Sequence, residues 1–153
     1  MSNDRAPHAV GAMKKPEGSA WSLRDFLNVP YVVVSDVAEV APGVWVRRVS
    51  YPELPDCSAE AEVVEDALRL LERRRIQTIV RMLRDGEEPS RSRAPLANCD
   101  PAWVSIEAGL NEIPEQMLDR SSAEMRGAPD PFLPTMQATH QSLTGGSDAQ
   151  PRE

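Results

Sequence analysis

Residues 30–57 of this chain read PYVVVSDVAEVAPGVWVRRVSYPELPDC. Two segments of this stretch, residues 30–37 and 44–49, are rich in β-branched and aromatic side chains, which is typical of strands. A Pro-Gly pair lies between them and favours a chain reversal. We therefore expect a β-hairpin, and its register stays open because the connection is longer than a two-residue turn.

Alternation of side chains along the second strand separates two faces. Val44 and Val46 share one face, and Trp45 and Arg47 share the other. Trp45, like Trp103 further along the chain, is either a packing residue or an anchor for a partner. Packing is the simpler interpretation, because a small sheet with few aromatic residues uses those it has.

A long amphipathic helix is expected after the hairpin. The prolines at positions 52 and 55 remove backbone donors, so the chain first runs as an extended connection. Ser58 is then a suitable N-cap, with Glu60 and Glu62 in a first turn that favours negative charge. The helix is expected to end at Gly86, because glycine suits a left-handed C-terminal position. Its apolar residues recur mostly at three- and four-residue steps: Val64, Leu68, Leu71, Ile76, Ile79, Val80 and Leu83.

The order of these features, a hairpin, the phrase YPELPDC at residues 51–57 and a helix, resembles the HicB antitoxin family. The match runs without gaps over about residues 31–89. Asp56 and Ala61 stand where the family usually has glycines, and Glu62 and Val63 replace an Asp-Thr pair. The most specific matching positions are Leu54, Pro55, Cys57, Glu65, Ala67 and Leu68.

The resemblance implies a partial ribonuclease-H-like domain, in which one helix packs on an antiparallel sheet of three or four strands. In that family the domain is not catalytic. It binds and occludes a small basic toxin ribonuclease, and many members add a helix-turn-helix or ribbon-helix-helix segment that binds operator DNA. The fold class expected for this chain is therefore α+β.

The composition limits the ordered part of the chain. With 14 prolines, 8 glycines and 5% aromatic residues in 153, the core is smaller than the length indicates. We expect a disordered tail at residues 1–20, the HicB-like domain at 21–118, and a largely disordered tail at 119–153.

The end of the domain is expected to carry an extra strand at residues 102–108 and a short helix at residues 113–125 with Pro114 in its first turn. Strand followed by helix resembles half of a ribbon-helix-helix unit. The glycine and prolines after residue 126 exclude the second helix. Autonomous DNA binding is therefore not favoured.

The charge is unevenly distributed. The formal net charge of −7 argues against a general nucleic-acid binder, yet residues 69–93 hold eight arginines against four acids. The favoured interpretation of this basic stripe is a solvated helix face, in which Arg69, Arg73 and Arg84 pair with neighbouring carboxylates. The alternative is a site for phosphate or an acidic partner.

Nothing in the sequence indicates catalysis, a metal or a cofactor. His8 and His140 lie in the predicted tails, and no catalytic triad order, metal-ligand spacing or phosphate loop is visible. The acids near the helix start more simply satisfy the helix dipole than act as paired general acid and base. Cys57 is interpreted as a small buried hydrophobe rather than a reactive thiol. No membrane span or secretory signal is visible, so a cytoplasmic location is expected.

The resemblance, together with the negative charge, implies a non-catalytic protein that binds a small basic partner, most simply as an antitoxin. The alternative is a stand-alone dimerising or scaffold module of the same fold. A homodimer is expected, because an open sheet edge is commonly covered by two-fold association. The residues expected to contact the partner are Trp45, Arg47, Glu53, Glu60 and Glu62.

Overall fold

The computed structural model describes residues 20–134. Residues 1–19 and 135–153, which hold most of both predicted tails together with His8 and His140, lie outside this segment. Its elements follow in the order α1 (Leu23–Leu27), β1 (Val34–Ala41), β2 (Val44–Ser50), β3 (Ser58–Ala61), α2 (Val64–Asp85), α3 (Pro101–Glu107), α4 (Glu115–Leu118) and α5 (Ser122–Met125).

The strands form one antiparallel sheet in the order β1-β2-β3. Arg47 in the middle strand lies opposite Val37 on β1 and opposite Ala61 on β3. The β1–β2 register shifts between Glu39 and Ala41, near the hairpin tip. The long helix α2 packs mainly against β2 and β3. The predicted α+β fold, a small antiparallel sheet with one long amphipathic helix, is confirmed, and the sheet has three strands.

The predicted start of the helix is wrong, because Ser58 begins strand β3 and does not cap a helix. Ala59 is buried between the more exposed Ser58 and Glu60, which is the two-residue period of a half-covered strand. Residues 58–61 pair with β2, which supplies their backbone hydrogen-bond partners. Because β2 precedes them by several residues and a turn, the local sequence pattern does not predict this pairing. The helix N-cap is Val63, in an extended conformation and without a side-chain hydrogen bond.

The predicted end of α2 at Gly86 is confirmed. Gly86 has φ 80° and ψ 15°, in the left-handed region. Its backbone N–H donates to the Leu83 carbonyl at 3.1 Å, and the N–H of Glu87 donates to the Met82 carbonyl at 2.8 Å. These two bonds close the helix in a Schellman-type cap, and they need the positive φ that glycine adopts without strain.

The predicted apolar face of α2 is confirmed over most of its length. Val64 and Leu68, in the first two turns, are exceptions with 38% and 39% of their surface exposed. Leu68 borders an open groove beside Val104 and Ala108 of the α3 region, which covers it only in part. The members of the predicted face that are buried are Leu71, Ile76, Ile79, Val80 and Leu83.

The predicted strand at residues 102–108 is helix α3. The carboxylate of Asp100 accepts a hydrogen bond from the Ala102 N–H at 3.1 Å, and Pro101 occupies the first helical position. An Asp-Pro pair at this place is a helix-start signal, and it outweighs the short alternation that favoured a strand. Val104 and Ala108 then pack toward the core at helical spacing.

The predicted helix at residues 113–125 divides into α4 and α5. Pro114 is the N-cap of α4 and does not lie inside its first turn. Ser121 opens α5 with a capping box, because its hydroxyl accepts from the Glu124 N–H while the Glu124 carboxylate accepts from the Ser121 N–H. Such a cap requires an extended Ser121 and therefore interrupts a continuous helix.

Ordered packing continues past the predicted domain boundary at residue 118. Met125 is fully buried, and Phe132 packs against the core. The Arg84 carbonyl accepts the Gly127 N–H at 2.9 Å, and the Arg84 guanidinium donates to the Ala128 carbonyl at 2.7 Å. Residues 119–134 therefore dock along α2 and belong to the domain.

Candidate protein-binding surface

One face of the hairpin is buried where it packs on the core, and the same face is exposed toward the hairpin tip. On β2, Val49 is fully buried, while Arg47 and Trp45 on the same face are exposed. Trp45 has 56% of its surface exposed, and Val37, opposite Arg47, has 49%. We call Val37, Trp45 and Arg47 the hairpin surface. It offers a tryptophan and an arginine, two residue types that are enriched at protein interfaces, together with an exposed valine.

The exposure of Trp45 shows that the packing interpretation is wrong for this residue. It is also wrong for Trp103, which has 57% of its surface exposed on α3. The tryptophan that does pack is Trp21, whose ring centroid lies 5.2 Å from that of Phe26. The Arg91 guanidinium lies over the Trp21 ring at 5.1 Å, in cation–π geometry.

The sheet places Glu60 away from the hairpin surface. Glu60 lies opposite Arg48 on the other face of the sheet, and its carboxylate accepts a hydrogen bond from the Arg48 guanidinium at 2.6 Å. Both side chains are exposed. Such a cross-strand ion pair contributes little to stability in water and can exchange with a charged partner.

Glu53 is engaged in holding the domain together. Its carboxylate accepts the Val32 N–H at 2.8 Å and pairs with Arg93 at 2.8 Å. The backbone hydrogen bond from Val32, together with the contacts to Ser92 and Arg93, lowers the pKa of Glu53 below its ordinary value. Glu53 thus connects the approach to β1 with the loop after α2, and it does not lie beside Trp45.

Glu62 lies just beyond the end of β3. It follows Ala61, which is opposite Arg47, and it is exposed. Within the described residues, the side chains of Glu62 and Glu65 take part in no ion pair. Their negative charges are therefore available to a cationic partner. Of the five predicted contact residues, the structure places Trp45 and Arg47 on one face of β2, while Glu62 follows the end of β3.

A buried charge cluster was not expected from the sequence. Arg75 is 8% exposed, donates to both carboxylate oxygens of Glu72 at 2.9–3.1 Å, and donates to the Leu27 carbonyl at 2.7 Å. The Tyr51 hydroxyl also donates to Glu72. Burial and this contact raise the pKa of Tyr51. The sequence did carry a signal for the burial of Arg75. This residue lies four positions from both Leu71 and Ile79, which belong to the buried apolar face of α2.

This cluster forms one wall of a cleft of about 240 Å³, which also includes Tyr31 and Cys99. Burial raises the pKa of Tyr31 to about 12. The Tyr31 hydroxyl donates to the Ser90 carbonyl at 3.0 Å. The charged and hydroxyl groups around the cleft are thus bonded to each other or to backbone.

The basic stripe is explained mainly by internal ion pairs, as the favoured interpretation proposed. Arg73 and Arg81 depart from it, because no ion pair of either residue is found within residues 20–134. Arg74 donates to the Ser58 carbonyl at 2.5 Å. The ion pairs formed, besides that of Arg75, are Arg69 with Asp66, Arg84 with Asp130, Arg91 with Glu88 and Arg93 with Glu53.

Cys57 is buried and Cys99 is exposed. Burial raises the pKa of the Cys57 thiol to about 11, so the reactive thiolate is disfavoured at neutral pH. This agrees with its interpretation as a small core hydrophobe.

In the described part of the chain, no group of three or more His, Cys, Asp or Glu residues could hold a metal ion. No helix there is long and apolar enough to cross a membrane.

Comparison of the chain with models of protein families, with curated proteins and with solved structures found no match. Function is therefore inferred from the hairpin surface and the charges around it.

Proposed function

We propose that this chain is a non-catalytic binding protein that docks a small basic protein on its hairpin surface, as a HicB-like antitoxin does with its toxin ribonuclease. The observation that carries the proposal is the exposure of Trp45 beside Val37 on a hairpin face that α2 leaves uncovered. The proposal places the protein in the cytoplasm, where such a toxin meets RNA.

Trp45 supplies the apolar part of the proposed contact. A tryptophan buries about 150–250 Å² when fully covered, so covering the 56% of Trp45 that is exposed removes roughly 110 Å² from water. At about 25 cal/mol per Å², this is worth about 3 kcal/mol. A single residue of that size is typical of a binding hot spot.

The negative charge supplies the preference for a cationic partner. The chain carries a formal charge of −7, and Glu62 and Glu65 are exposed and form no ion pair within residues 20–134. Complementary charge speeds association and has less effect on the lifetime of the complex. Added salt screens this attraction, so association with the basic partner is expected to slow as salt rises.

The test uses the product of the adjacent short reading frame in the genome. Expressed alone it should stop growth, and growth should return when this chain is co-expressed. Trp45→Ala should weaken binding by roughly 30- to 150-fold, the equivalent of 2–3 kcal/mol. Trp103→Ala is the matched control, because Trp103 is equally exposed but lies on α3.

Two results would contradict the proposal. A neighbour that is harmless alone, or equally toxic in the presence of this chain, excludes the antitoxin function. Equal losses for Trp45→Ala and Trp103→Ala would show that the hairpin surface is not the docking site.

The second candidate is a stand-alone dimerising or scaffold module of the same fold. The observation that favours it is the open outer edge of β1, which ends the sheet. This candidate takes the place of the first if the neighbouring product proves harmless.

A further inference from the structure

Strand β1 presents a long open edge. It has eight residues, it is the first strand of the sheet, and the extra strand predicted at residues 102–108 is helix α3. No strand of the described segment therefore pairs with its outer side. Val34, Val37 and Val40 of this strand are each about half exposed. Natural edge strands of this length are usually protected from pairing by charged residues, especially lysine, by proline, by a bulge or by a cover. β1 has no lysine or proline, and its protection is limited to Asp36, Glu39 and the register shift near its end.

We propose that the outer edge of β1 pairs with the same edge of a second copy of this chain, antiparallel and about a two-fold axis at Val37. The two three-stranded sheets then form one continuous sheet of six strands. This association uses the backbone edge of β1, and it shares Val37 with the hairpin surface but involves neither Trp45 nor Arg47, which lie on β2.

The symmetry of the pairing limits the registers that are available. Backbone N–H and C=O groups point alternately to the two sides of a strand, and residues that lie opposite each other in an antiparallel pair must point the same way. Two identical strands meet this condition only if the axis passes through a residue, so that this residue lies opposite its own copy. An axis between two residues is excluded.

Charge and apolar matching then select Val37 as the centre. With the axis at Val37, Val34 lies opposite the partner's Val40, Ser35 opposite the partner's Glu39, and Asp36 opposite the partner's Ala38. Valines meet valines, and no two acids lie opposite each other.

The neighbouring centres are less favourable. An axis at Asp36 brings two carboxylates together, which is destabilising in a directly opposite pair. An axis at Ala38 places Val37 opposite the partner's Glu39 and extends the pairing into the register shift between Glu39 and Ala41. The axis at Val37 uses residues 34–40, so it reaches Val40 within that irregularity but not Ala41 beyond it.

The exposed valines on both faces of β1 explain why a second copy fits. Backbone pairing alone satisfies the open edge, but a stable association also needs apolar surface. The three valines of each copy come together in pairs across the new junction. The two copies also carry the same net charge of −7, so added salt should strengthen this association, whereas it should slow association with a basic protein.

Cysteine cross-linking of the full chain tests the register. In a Cys99→Ser background, Val37→Cys places two thiols opposite each other, with Cα atoms about 4.5–5.5 Å apart, which is within disulfide reach. Cys57 is buried and does not compete. Ser35→Cys is the matched control, because in this register its own copy lies four residues further along, roughly 14 Å away.

The expected result is a covalent dimer for Val37→Cys under mild oxidation and none for Ser35→Cys. Cross-linking of Ser35→Cys as fast as Val37→Cys would overturn the register. In sedimentation velocity the unmodified chain should be dimeric at micromolar concentration, and Val37→Lys should shift it to monomer while Val44→Lys on β2 should not. A monomer for the unmodified chain across that range would overturn the proposal.

Discussion

Removal of the Glu72 carboxylate tests the buried charge cluster most directly. In Glu72→Ala, the Arg75 guanidinium keeps the Leu27 carbonyl as its acceptor within residues 20–134 and loses its counter-charge. The Tyr51 hydroxyl loses its acceptor in the same step. An unpaired buried cation and an unpaired hydroxyl are both costly, so the substitution should destabilise the domain strongly.

The size of the effect follows from burial. Breaking a buried ion pair from one side costs about 3–5 kcal/mol. The Arg75 side chain is 9% exposed, but the Glu72 side chain is 33% exposed, so water can partly replace the lost carboxylate. We therefore expect the lower end of the range, about 3 kcal/mol. With an m-value of about 1.5 kcal/mol per molar urea, the unfolding midpoint should fall by roughly 2 M.

Urea unfolding followed by circular dichroism measures this shift. Arg69→Ala is the control on the same helix, because the Arg69–Asp66 pair has side chains that are 64% and 57% exposed and should contribute less than about 1 kcal/mol. Replacing both Glu72 and Arg75 by leucine should restore much of the lost stability, since no charge is then left unpaired. A Glu72→Ala midpoint equal to that of Arg69→Ala would refute the reasoning.

Two further predictions follow from burial. Leu71→Asp should cost several kcal/mol, because it places a carboxylate in a fully buried position, while Leu68→Asp should be tolerated at the half-exposed groove; equal falls in melting temperature would contradict the structure. A thiol reagent should label one cysteine of the native protein at neutral pH, Cys99, and should reach Cys57 only after unfolding, because burial holds the Cys57 pKa near 11; rapid labelling of both, identified by mass spectrometry, would disagree.

The local pattern of the chain was sufficient for the hairpin and for the long helix. Both depend on residues close together in sequence: alternating β-branched residues around a Pro-Gly turn, and apolar residues at helical spacing that end at Gly86. The α+β fold class follows from these two elements. Each is long enough for its period to be recognised, and neither needs information from distant residues.

The secondary structure of the short segments depends on tertiary contacts and on neighbouring caps. Residues 58–61 contain two alanines and two polar residues, a composition that suits a helix start as well as a strand, and pairing with β2 makes them a strand. Residues 102–108 alternate like a strand, but the cap at Asp100 and packing toward the core make them a helix. In a window of four to seven residues the intrinsic preferences differ by less than a tertiary contact contributes.

In the candidate site, too, some features follow from the local sequence and others depend on tertiary contacts. The sequence by itself determined that Trp45 and Arg47 share a face, since side chains alternate along any strand. Only the tertiary structure decided that this face is exposed, because that depends on how far α2 reaches along the sheet. It also decided that Glu53 is engaged with Arg93 and that Arg75 is buried, because these contacts join residues that are distant in the chain.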